Sequence, residues 1–429
     1  MSKLWRQKEV RGEGLLEQLL SNRGVVAGDE PAKFLQPKYD RDLHDPFLLL
    51  SMDRAVERIA RAVGEGERVM IVGDYDADGV PGTAILTEFF KKIDFSNFEI
   101  YIPDRLNEPH GLSPAIIERA VTNGVSLLIT IDCGSTNVAE VALARERGLD
   151  IIITDHHLVP VPEPPAYAFI NPKRVGDEYP FKMLCGAGVA FKLVQGLIAR
   201  GGFAVPAGWE KWLLDLVAIA TVSDLVPLVD ENRVLVYFGL QVLRRTRRPG
   251  LIELFRKLRL KPEFIAEDDI AFLIGPRLNS ASRMSHASQA YALLTTSSFS
   301  EAAHLATHLE AKNKERRSVV ATILEEVEAM FNTLENLPPV LVFGQPEWQL
   351  GVLGVAANRL VEKYQRPVFV WGQNGHGIKG SARSYGGVNL VELMAAAGGG
   401  EFFNDFGGHA ASGGFMVAAE RIGELAPRL

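Results

Sequence analysis

Short apolar runs that end at aspartate constrain the fold of this chain more than any other feature of its sequence. The runs span residues 69–72, 127–131 and 151–154, and aspartate follows each of them within two residues. Short buried runs of this kind predict parallel strands. Helical patterns separate them, at 81–92 and 138–147 among others, so the alternation predicts a parallel sheet with helices on both faces.

A second α/β unit is predicted toward the C-terminal end. Residues 288–335 carry apolar side chains at helical spacing and contain neither Gly nor Pro, which predicts a long helix or a helix pair. A strand at 340–343, a helix at 351–364 and a strand at 367–371 follow, and then Gly-rich turns. We therefore predict four regions, which are an N-terminal extension at 1–47, a principal domain at 48–287, a connecting helix at 288–335 and a C-terminal domain at 336–429.

Composition indicates a soluble globular protein. The chain has 429 residues, too many for one ordinary core, and 47% of them are hydrophobic against 23% charged. No run approaches the roughly 18 uninterrupted apolar residues that a membrane span needs. Cys133 and Cys185 are the only cysteines, which argues against a disulfide framework and fits a reducing compartment. We expect a cytoplasmic protein with no membrane partner.

The net charge is weaker evidence about the binding partner of this chain. The formal net charge of −7 argues against a nucleic-acid partner, because phosphate backbones favour clustered Lys and Arg. The carboxylates of a metal site contribute to a negative net charge, however, and a local basic groove can occur on a protein that is acidic overall. The cationic run at 244–248 has two interpretations, a nucleic-acid contact or a solvated helix end where cations are favoured. We do not place it in the site.

Aspartates cluster after the first predicted strand. Asp74, Asp76 and Asp78 alternate along the chain between that strand and the next helix, which puts several carboxylates into a small volume. Unpaired, these carboxylates would repel one another, and a divalent cation is the usual reason for tolerating such a cluster. A solvated loop or a helix cap is the alternative, although a cap needs only one aspartate.

Further candidate ligands follow the other predicted elements. Asp132 ends the second strand, Asp155, His156 and His157 end the third, and Asp224 follows a buried helix predicted at 212–221. Carboxylates with one or two imidazoles suit Mn²⁺ or Mg²⁺ better than zinc. With five or more ligands, a site for two ions that share an aspartate is predicted, as in enzymes of phosphoryl transfer.

In order and spacing, these motifs resemble those of the DHH phosphoesterase family. The residues of the later segments resemble those of its RecJ branch, the single-strand-specific DNA exonucleases. The resemblance runs from about Leu43 to Phe415. It rests on motifs at 74–79, 132–134, 155–157, 224, 275–279, 348–356, 379–384 and 407–415. The sequence departs from the family pattern at Pro109 and His110, where Gly-Tyr is more typical, at Gln349, where His is usual, and at Ser282, where a small Gly is usual.

The resemblance implies roles for individual residues. The implied metal ligands are Asp76, Asp78, Asp132, His156 and Asp224, with Asp132 as the bridge between two ions. Asp74 and His157 are either further ligands or groups that orient water and the scissile phosphate. The implied contacts to a 5′-terminal phosphate and its strand are Arg105, Arg277, Asn279, Ser381, Arg383 and His409. For Arg105 an ordinary surface ion pair stays open, and the glycines at 407–408 are interpreted as a close-approach turn before His409.

The resemblance also implies a fold and a function. The expected fold is a parallel-sheet DHH domain joined by a long helix to a smaller α/β DHH-associated domain, with the active site in the cleft between them. The expected activity is 5′→3′ hydrolysis of single-stranded DNA with two Mn²⁺ or Mg²⁺ ions, releasing nucleoside 5′-monophosphates in DNA repair and recombination. A single-stranded-DNA-binding protein or a helicase is the expected partner.

Other functions remain open. The chain stops fourteen residues after Phe415, where typical RecJ proteins continue into an OB-type domain, so weaker binding, lower processivity or reliance on a partner is expected. Within the superfamily the alternative is a phosphodiesterase of short oligonucleotides or cyclic dinucleotides. A non-catalytic replication scaffold is the alternative from another class, and RNA is a further candidate substrate.

Overall fold

The protein is described by a computed structural model that covers residues 9, 14–26, 28, 30–332, 337–375 and 377–429. Parts of two predicted regions, the N-terminal extension and the last residues of the connecting helix, lie outside this range. The chain divides into two units. The first comprises Met1–Pro103, Pro109–Asn279 and Ala287–Thr307, and the second comprises Asp104–Glu108, Ser280–His286 and His308–Leu429.

Five parallel strands form the sheet of the first unit. They are β1 (Val69–Gly73), β2 (Phe98–Tyr101), β3 (Leu127–Ile131), β4 (Asp150–Thr154) and β5 (Ala168–Ile170), in the order β2-β1-β3-β4-β5. The three predicted strands are β1, β3 and β4, so the predicted parallel sheet is confirmed. The two edge strands were not predicted, because β2 is only half-buried and β5 has three residues.

The helices between residues 15 and 331 lie mostly in the first unit. In chain order they are α1 (Leu15–Ser21), α2 (Glu30–Leu35), α3 (Tyr39–Asp42), α4 (Met52–Glu65), α5 (Gly79–Lys92), α6 (Pro114–Thr122), α7 (Val138–Glu146), α8 (Gly186–Arg200), α9 (Leu214–Ser223), α10 (Asp230–Leu243), α11 (Pro249–Leu258), α12 (Glu267–Asp269), α13 (Gly275–Met284), α14 (Ser288–Thr295) and α15 (Phe299–Phe331). Short 3-10 segments lie at Pro46–Leu48, Trp209–Leu213 and Pro262–Phe264, and a π-helical turn at Ile270–Ile274. Among the described residues, none of the helices has the length and apolar character that crossing a membrane requires.

The register of the sheet aligns the ends of the three central strands. Gly73 pairs with Ile131, and Ile131 pairs with Thr154. Every residue of β1 and β3 is buried, and side chains such as Met70 and Leu128 pack into one apolar cluster on a face of the sheet. Whatever follows each strand therefore emerges at the same edge, which is where ligands bind to open α/β sheets.

The second unit contains a mixed sheet. Its strands are β6 (Leu341–Gly344), β7 (Val368–Asn374), β8 (Gly377–Arg383), β9 (Asp405–His409) and β10 (Ser412–Ala418), in the order β6-β7-β8-β10-β9. Only β6 and β7 pair in parallel. The helices of this unit are α16 (Leu353–Tyr364), α17 (Leu390–Ala396), α18 (Gly399–Phe402) and α19 (Leu425–Arg428), with 3-10 segments at Leu350–Val352 and Ala419–Glu424.

The Gly-rich stretch after residue 371 was wrongly predicted as turns, because it forms β8, β9 and β10. Its glycines serve close packing within the sheet. A Cβ on Gly380 would lie 2.0 Å from the ring of Phe415, and a Cβ on Gly408 would lie 2.4 Å from the carbonyl oxygen of Ser412. The predicted turn at 407–408 is thus part of β9.

A buried ion pair attaches the N-terminal segment to the first unit. Lys192 and Glu231 are completely buried and pair with each other. The backbone of His44 serves both, because its N–H donates to Glu231 at 3.1 Å and its carbonyl accepts from Lys192 at 2.9 Å. The hydroxyl of the buried Tyr179 donates to the second oxygen of Glu231. A buried pair needs such additional hydrogen bonds to offset its desolvation.

Candidate metal centre

The backbone holds three aspartates at one edge of the sheet. The N–H of Asp74 donates to Ile131 at 3.1 Å, that of Asp132 to Thr154 at 2.9 Å and that of Asp155 to Ile170 at 3.0 Å. Each strand thus continues its ladder by one residue. The aspartates are therefore positioned by the sheet itself rather than by a mobile loop.

The turn between β1 and α5 brings further carboxylates to this edge. Asp76 accepts hydrogen bonds from the N–H groups of Asp78 and Gly79, at 2.8 and 3.1 Å, and so holds the turn before α5 with one oxygen. Gly79 permits the tight turn, since a Cβ there would lie 2.6 Å from the side chain of Asp74. The side chain of Asn279 accepts the N–H of Ala77 at 2.9 Å and braces the turn.

Asp78 lies against the N-terminus of α8. Its two oxygens accept the N–H groups of Gly186 and Ala187 at 2.6 and 2.7 Å, where the partial positive charge of a helix favours an anion. Complete burial and the charge of Asp76 nevertheless raise the pKa of Asp78 to about 7. The helix terminus alone does not offset the burial of this carboxylate.

Asp132 is one of the buried acidic groups at this edge. It is 2% exposed and has a φ of +61°, a left-handed conformation that Asp tolerates better than most residues. Its Oδ1 lies 3.2 Å from Nε2 of His156 and 3.9 Å from Nδ1 of His157. Burial and the charge of Asp78 raise the pKa of Asp132 well above its usual value. A cation beside it would favour the ionised carboxylate and so offset this shift.

Asp155 organises the two histidines. It accepts hydrogen bonds from the backbone of Ser135, His156 and His157, and Nδ1 of His157 donates to it at 2.7 Å. Burial alone would raise the pKa of Asp155, but these bonds outweigh it and lower the pKa. Burial lowers the pKa of His157, yet the bond to Asp155 and its charge raise the pKa to about 9. Asp155 therefore orients the histidine pair.

The seven acidic and histidine residues predicted for the site lie together. They form three overlapping groups whose ligand atoms are within 4.8 Å of one another, and these are Asp132 with His156 and His157, Asp78 with His156 and Asp224, and Asp74 with Asp76 and Asp132. Asp224 joins from the C-terminal end of α9, and burial with the charge of Asp78 raises its pKa to about 7. Asp132 and His156 each belong to two groups.

The chemistry of this donor set fits a hard divalent cation. Within the described part of the chain, Asp74 Oδ1, Asp132 Oδ1 and His156 Nδ1 are buried without a hydrogen-bond partner. Leaving buried carboxylates unpaired costs several kcal/mol, roughly, and a cation offsets that cost. No thiolate joins the donors, since the nearby Cys133 and Cys185 are buried thiols with raised pKa caused by that burial. Oxygen donors with imidazole suit Mn²⁺ or Mg²⁺.

Two residues that the sequence did not single out as functional lie at the same edge. Nε2 of His110 is 3.3 Å from Oδ1 of Asp74, and the charge of Asp74 raises the pKa of His110. Its ring contacts those of Tyr75 and His157 edge to face. Asn171 donates to the hydroxyl of Ser135 and to the carbonyl of His157, each at 2.9 Å. In the sequence, His110 is marked only as a departure from the residues that the family usually has at this position.

The predicted substrate contacts fall into both units. Arg277 and Asn279 lie on α13 in the first, where Arg277 is buried and donates to the carbonyl of Leu273 at 3.1 Å. In the second unit, Arg383 donates to the hydroxyl of Ser381 at 3.2 Å. Burial and the positive charge of Arg105 lower the pKa of Arg383.

These second-unit residues share one face of a sheet that meets a helix terminus. A Cβ on Gly354, in the first turn of α16, would lie 2.9 Å from the guanidinium of Arg383 and 3.1 Å from the hydroxyl of Ser381. Ser412 pairs with Arg383 on one side and with His409 on the other. His409 is exposed on the same face, two strand spacings or about 10 Å from Arg383.

Comparison with known proteins identifies the family. Residues 68–221 match the DHH family N-terminal domain, and residues 337–428 match the DHHA1 domain. The single-stranded-DNA-specific exonuclease RecJ of Escherichia coli is 35% identical over 437 residues, which cover 96% of this chain and 74% of that protein. This chain belongs to the RecJ family. The expected α/β fold with DHH and DHHA1 domains is thereby confirmed.

Solved structures of RecJ proteins agree with this assignment. An exonuclease RecJ bound to manganese matches with a TM-score of 0.77 and 31% identity, covering 89% of this chain and 93% of that one. The Mn²⁺ complex of RecJ from Thermus thermophilus matches with a TM-score of 0.82 and 29% identity, over 96% of this chain and 58% of that one. The chain spans about half of the RecJ of Bacillus subtilis, 52%, to which it is 39% identical.

The crowded carboxylates should make the metal-free protein less stable as pH rises from about 4 to about 7. The pKa values of Asp78 and Asp224 rise from 3.8 to about 7 on folding, so the folded state binds more protons within this window and stability is lost through it. His157, raised from 6.5 to about 9, extends the loss upward. Thermal unfolding in a chelator at each pH measures this.

Saturating Mn²⁺ should reverse the trend above pH 7, because a bound cation favours the ionised carboxylates. Asp224→Asn should flatten the metal-free profile between pH 4 and 7, since the substituted amide does not titrate. Asp155, whose pKa is lowered, affects only the region below its usual value of 3.8. If the stability of the metal-free protein rose steadily from pH 4 to 8, the crowded carboxylates would not destabilise it as proposed.

Proposed function

We propose that this chain is a metal-dependent exonuclease that degrades single-stranded DNA from its 5′ end and releases nucleoside 5′-monophosphates. The observation that carries the proposal is the set of buried carboxylates without hydrogen-bond partners at the edge of the sheet. Membership of the RecJ family supports the choice of substrate. A role in DNA repair and recombination, and a single-stranded-DNA-binding protein or helicase as partner, are parts of the same proposal.

The ions are proposed to be two Mn²⁺ or Mg²⁺, held by the ligand set already predicted from the family motifs. That set is Asp76, Asp78, Asp132, His156 and Asp224. RecJ structures that contain Mn²⁺ or Mg²⁺ support this choice. When bound, such ions lower the pKa of water and neutralise charge on a phosphate that is being transferred. Asp132 is proposed as the shared ligand, because it belongs to two of the three ligand groups.

The protein's own groups prepare the site for this chemistry. Asp155 holds Nδ1 of His157 and so leaves its other ring nitrogen to donate to a phosphate oxygen. The proton of His157 is retained at neutral pH, since its pKa is about 9. His110 lies beside Asp74 in the same way and is proposed to orient it. Asn279 holds the aspartate turn through Ala77, which is a positioning role in addition to the predicted contact with the strand.

Polarity is proposed to come from a phosphate clamp in the second unit. Ser381 and Arg383 lie together beside the first turn of α16, and the charge of Arg105 acts on Arg383, so the clamp has guanidinium groups, a hydroxyl and a helix terminus. A guanidinium meets phosphate oxygens with two hydrogen bonds. A terminal phosphate held there makes degradation begin at the 5′ end. Arg277, predicted with Ser381 and Arg383 to hold the terminal phosphate, and His409 are proposed as further contacts to the phosphate chain.

Arg383→Ala should remove the preference for a 5′-phosphate. Loss of a charge-assisted pair of hydrogen bonds costs roughly 1.5–3 kcal/mol, so kcat/KM on phosphorylated oligonucleotides should fall by about 10- to 100-fold. Oligonucleotides with a 5′-hydroxyl should be affected much less. Lys379→Ala is the matched control, because Lys379 lies four residues before Arg383 on the same face of β8. Equal losses on both substrates would argue against a terminal-phosphate clamp.

The proposed activity is tested with a 5′-phosphorylated, 3′-labelled single-stranded DNA oligonucleotide and Mn²⁺. Matched RNA, blunt duplex and dinucleotide substrates run beside it, with a chelator as the metal-free control. A shortening ladder on single-stranded DNA alone is the expected result. Cleavage confined to dinucleotides would move the protein to the small-substrate branch. No metal-dependent cleavage of any substrate would leave the scaffold as the better interpretation.

A further inference from the structure

The most basic stretch of the chain lies in the first unit, outside the metal centre. Residues 244–261, here called the basic segment, contain eight cationic residues and a single acid, Glu253. Its formal charge is therefore +7 in a chain whose net charge is −7. The segment comprises the residues after α10, the helix α11 and the residues that follow it. Such a concentration of one sign on an acidic protein requires an explanation.

Most of these cations face solvent without a carboxylate partner. The exposed ones are Arg244, Arg245, Arg247, Arg256, Lys257, Arg259 and Lys261. Of these seven, only Arg256 has an ion-pair partner among the residues that the structure describes, Glu253 at 2.7 Å. The eighth cation, Arg248, is partly buried and bonds to Asp215 at 3.0 Å. The acids Glu263, Glu267 and Asp268 follow the segment rather than interrupt it.

Stabilisation of helix ends accounts for only part of this charge. Cations near a helix C-terminus interact with its dipole, which applies to Arg244 and Arg245 after α10 and to Arg256 and Lys257 within the last turn of α11. Arg247 and Lys261 lie outside both helices. Stabilisation of a helix therefore does not explain why Arg247 and Lys261 are cationic.

The segment also contains an apolar cavity and lies beside exposed aromatic rings. A cavity of about 230 Å³ is lined by the side chains of Ile252, Phe255, Leu260 and Pro262, with Arg244, Thr246 and Arg256. Trp212 is 42% exposed, and the guanidinium of Arg247 lies 4.5 Å from the centre of its ring. Phe264 is 72% exposed, three residues after Lys261. Cations interleaved with exposed rings and an apolar concavity suit stacked bases on a phosphate backbone.

This surface and the metal centre are at opposite ends of one helix. Asp215, which binds Arg248, lies in the first turn of α9, and Asp224 follows its last residue. The ten residues of α9 span about 15 Å. The basic segment therefore cannot contribute to the carboxylate cluster, and a ligand that reaches both must be extended.

We propose that the basic segment is a second binding surface for single-stranded nucleic acid, which holds the strand at a distance from the cleavage site. The proposal rests on the proposed function, since it takes single-stranded DNA as the ligand. Phosphates contact the exposed cations, while a base enters the apolar cavity or stacks on Trp212. An acidic peptide is the less suitable occupant, because the cations extend well beyond the cavity to positions on both sides of α11.

The test removes three exposed cations, of which only Arg245 lies at the end of a helix. A variant with Arg245→Gln, Arg247→Gln and Lys261→Gln is compared with a control in which Arg61, Arg145 and Arg147, exposed elsewhere in the same unit, are changed to Gln. Binding of a labelled 30-nucleotide DNA strand is measured by anisotropy in a chelator over a range of salt concentrations. We expect about tenfold weaker binding than in the control, and a salt slope smaller by about 2.

A second readout separates this surface from the active site. With Mn²⁺, cleavage of a 3-nucleotide substrate should be unchanged in the triple variant, because so short a strand spans less than the roughly 15 Å between the two ends of α9. Affinity and salt slope equal to those of the control would overturn the proposal, as would displacement of the DNA by poly-glutamate at equal charge concentration. If the unaltered protein cleaves nothing while the binding difference persists, the proposed exonuclease fails and the binding surface stands.

Discussion

Asp132→Asn should reduce kcat/KM for single-stranded DNA by on the order of 1,000-fold while raising the thermal midpoint of the metal-free protein. Both effects have one cause. The carboxylate of Asp132 is buried among other acids, with an oxygen that has no hydrogen-bond partner among the described residues. Removing its charge relieves repulsion when no cation is present, and deprives the cation of a central ligand when one is.

Asn is chosen so that the substitution adds no backbone strain at residue 132. Residue 132 has a φ of +61°, and Asn tolerates this conformation as Asp does, whereas Ala would add strain. Asp94→Asn is the matched control, because Asp94 is exposed, has a φ of +55° and follows α5 away from the metal centre. It should leave activity and the thermal midpoint unchanged.

Metal binding gives an independent measure of the same change. A ligand that binds only the folded state raises the thermal midpoint more when it binds more tightly. Mn²⁺ should therefore raise the midpoint of the unaltered protein more than that of the Asp132→Asn variant. Asp132 would lose its proposed role if the variant kept activity within tenfold of normal. A fall in its metal-free midpoint would show that the buried carboxylate stabilises the fold.

Gly186→Ala should destabilise the protein and inactivate it together. A Cβ at this position would lie 2.4 Å from both Cβ and Oδ1 of Asp132, and the N–H of Gly186 is also a donor to Asp78. Either Asp132 or the start of α8 must therefore move. Overpacking of this kind costs about 1–3 kcal/mol, and a displacement of about 1 Å at a catalytic group costs on the order of 100-fold in rate.

Gly188→Ala provides the control two residues further along α8. The nearest atom to a Cβ there is 3.5 Å away, on Leu184, which is ordinary contact. This variant should keep full activity and be as stable as the original or up to about 1 kcal/mol more stable, since Ala is favoured over Gly within helices. Denaturant unfolding and single-turnover cleavage measure both variants. Equal activity of the two would show that Asp132 does not require the space above Gly186.

The sequence indicated the sheet edge because the signals there are local. Each central strand is a fully buried run, and the residue after it is polar, so the pattern predicts both the strand and its end. Ladder hydrogen bonds then bring Asp74, Asp132 and Asp155 together without further information. What the pattern does not distinguish is a ligand from a residue that orients ligands, because Asp155 is recognised as the latter only through its four hydrogen-bond donors.

Features that depend on distant contacts were missed. His110 is 36 positions from Asp74 in the chain, and only the fold brings its ring to that carboxylate. The strands β8, β9 and β10 are rich in Gly, which ordinarily weakens a strand. Packing compensates here, because Phe415 covers the space that a side chain on Gly380 would occupy. A pattern read along the chain contains neither of these facts.

The attachment of His44 determines where this protein can be shortened. The predicted boundary at residue 47 suggests that the segment before it is dispensable. A truncation there would remove the backbone groups that complete the buried Lys192–Glu231 pair, leaving an amine and a carboxylate inside the protein with fewer partners. Engineered catalytic fragments of this chain should therefore retain His44 and enough preceding residues to hold it in place.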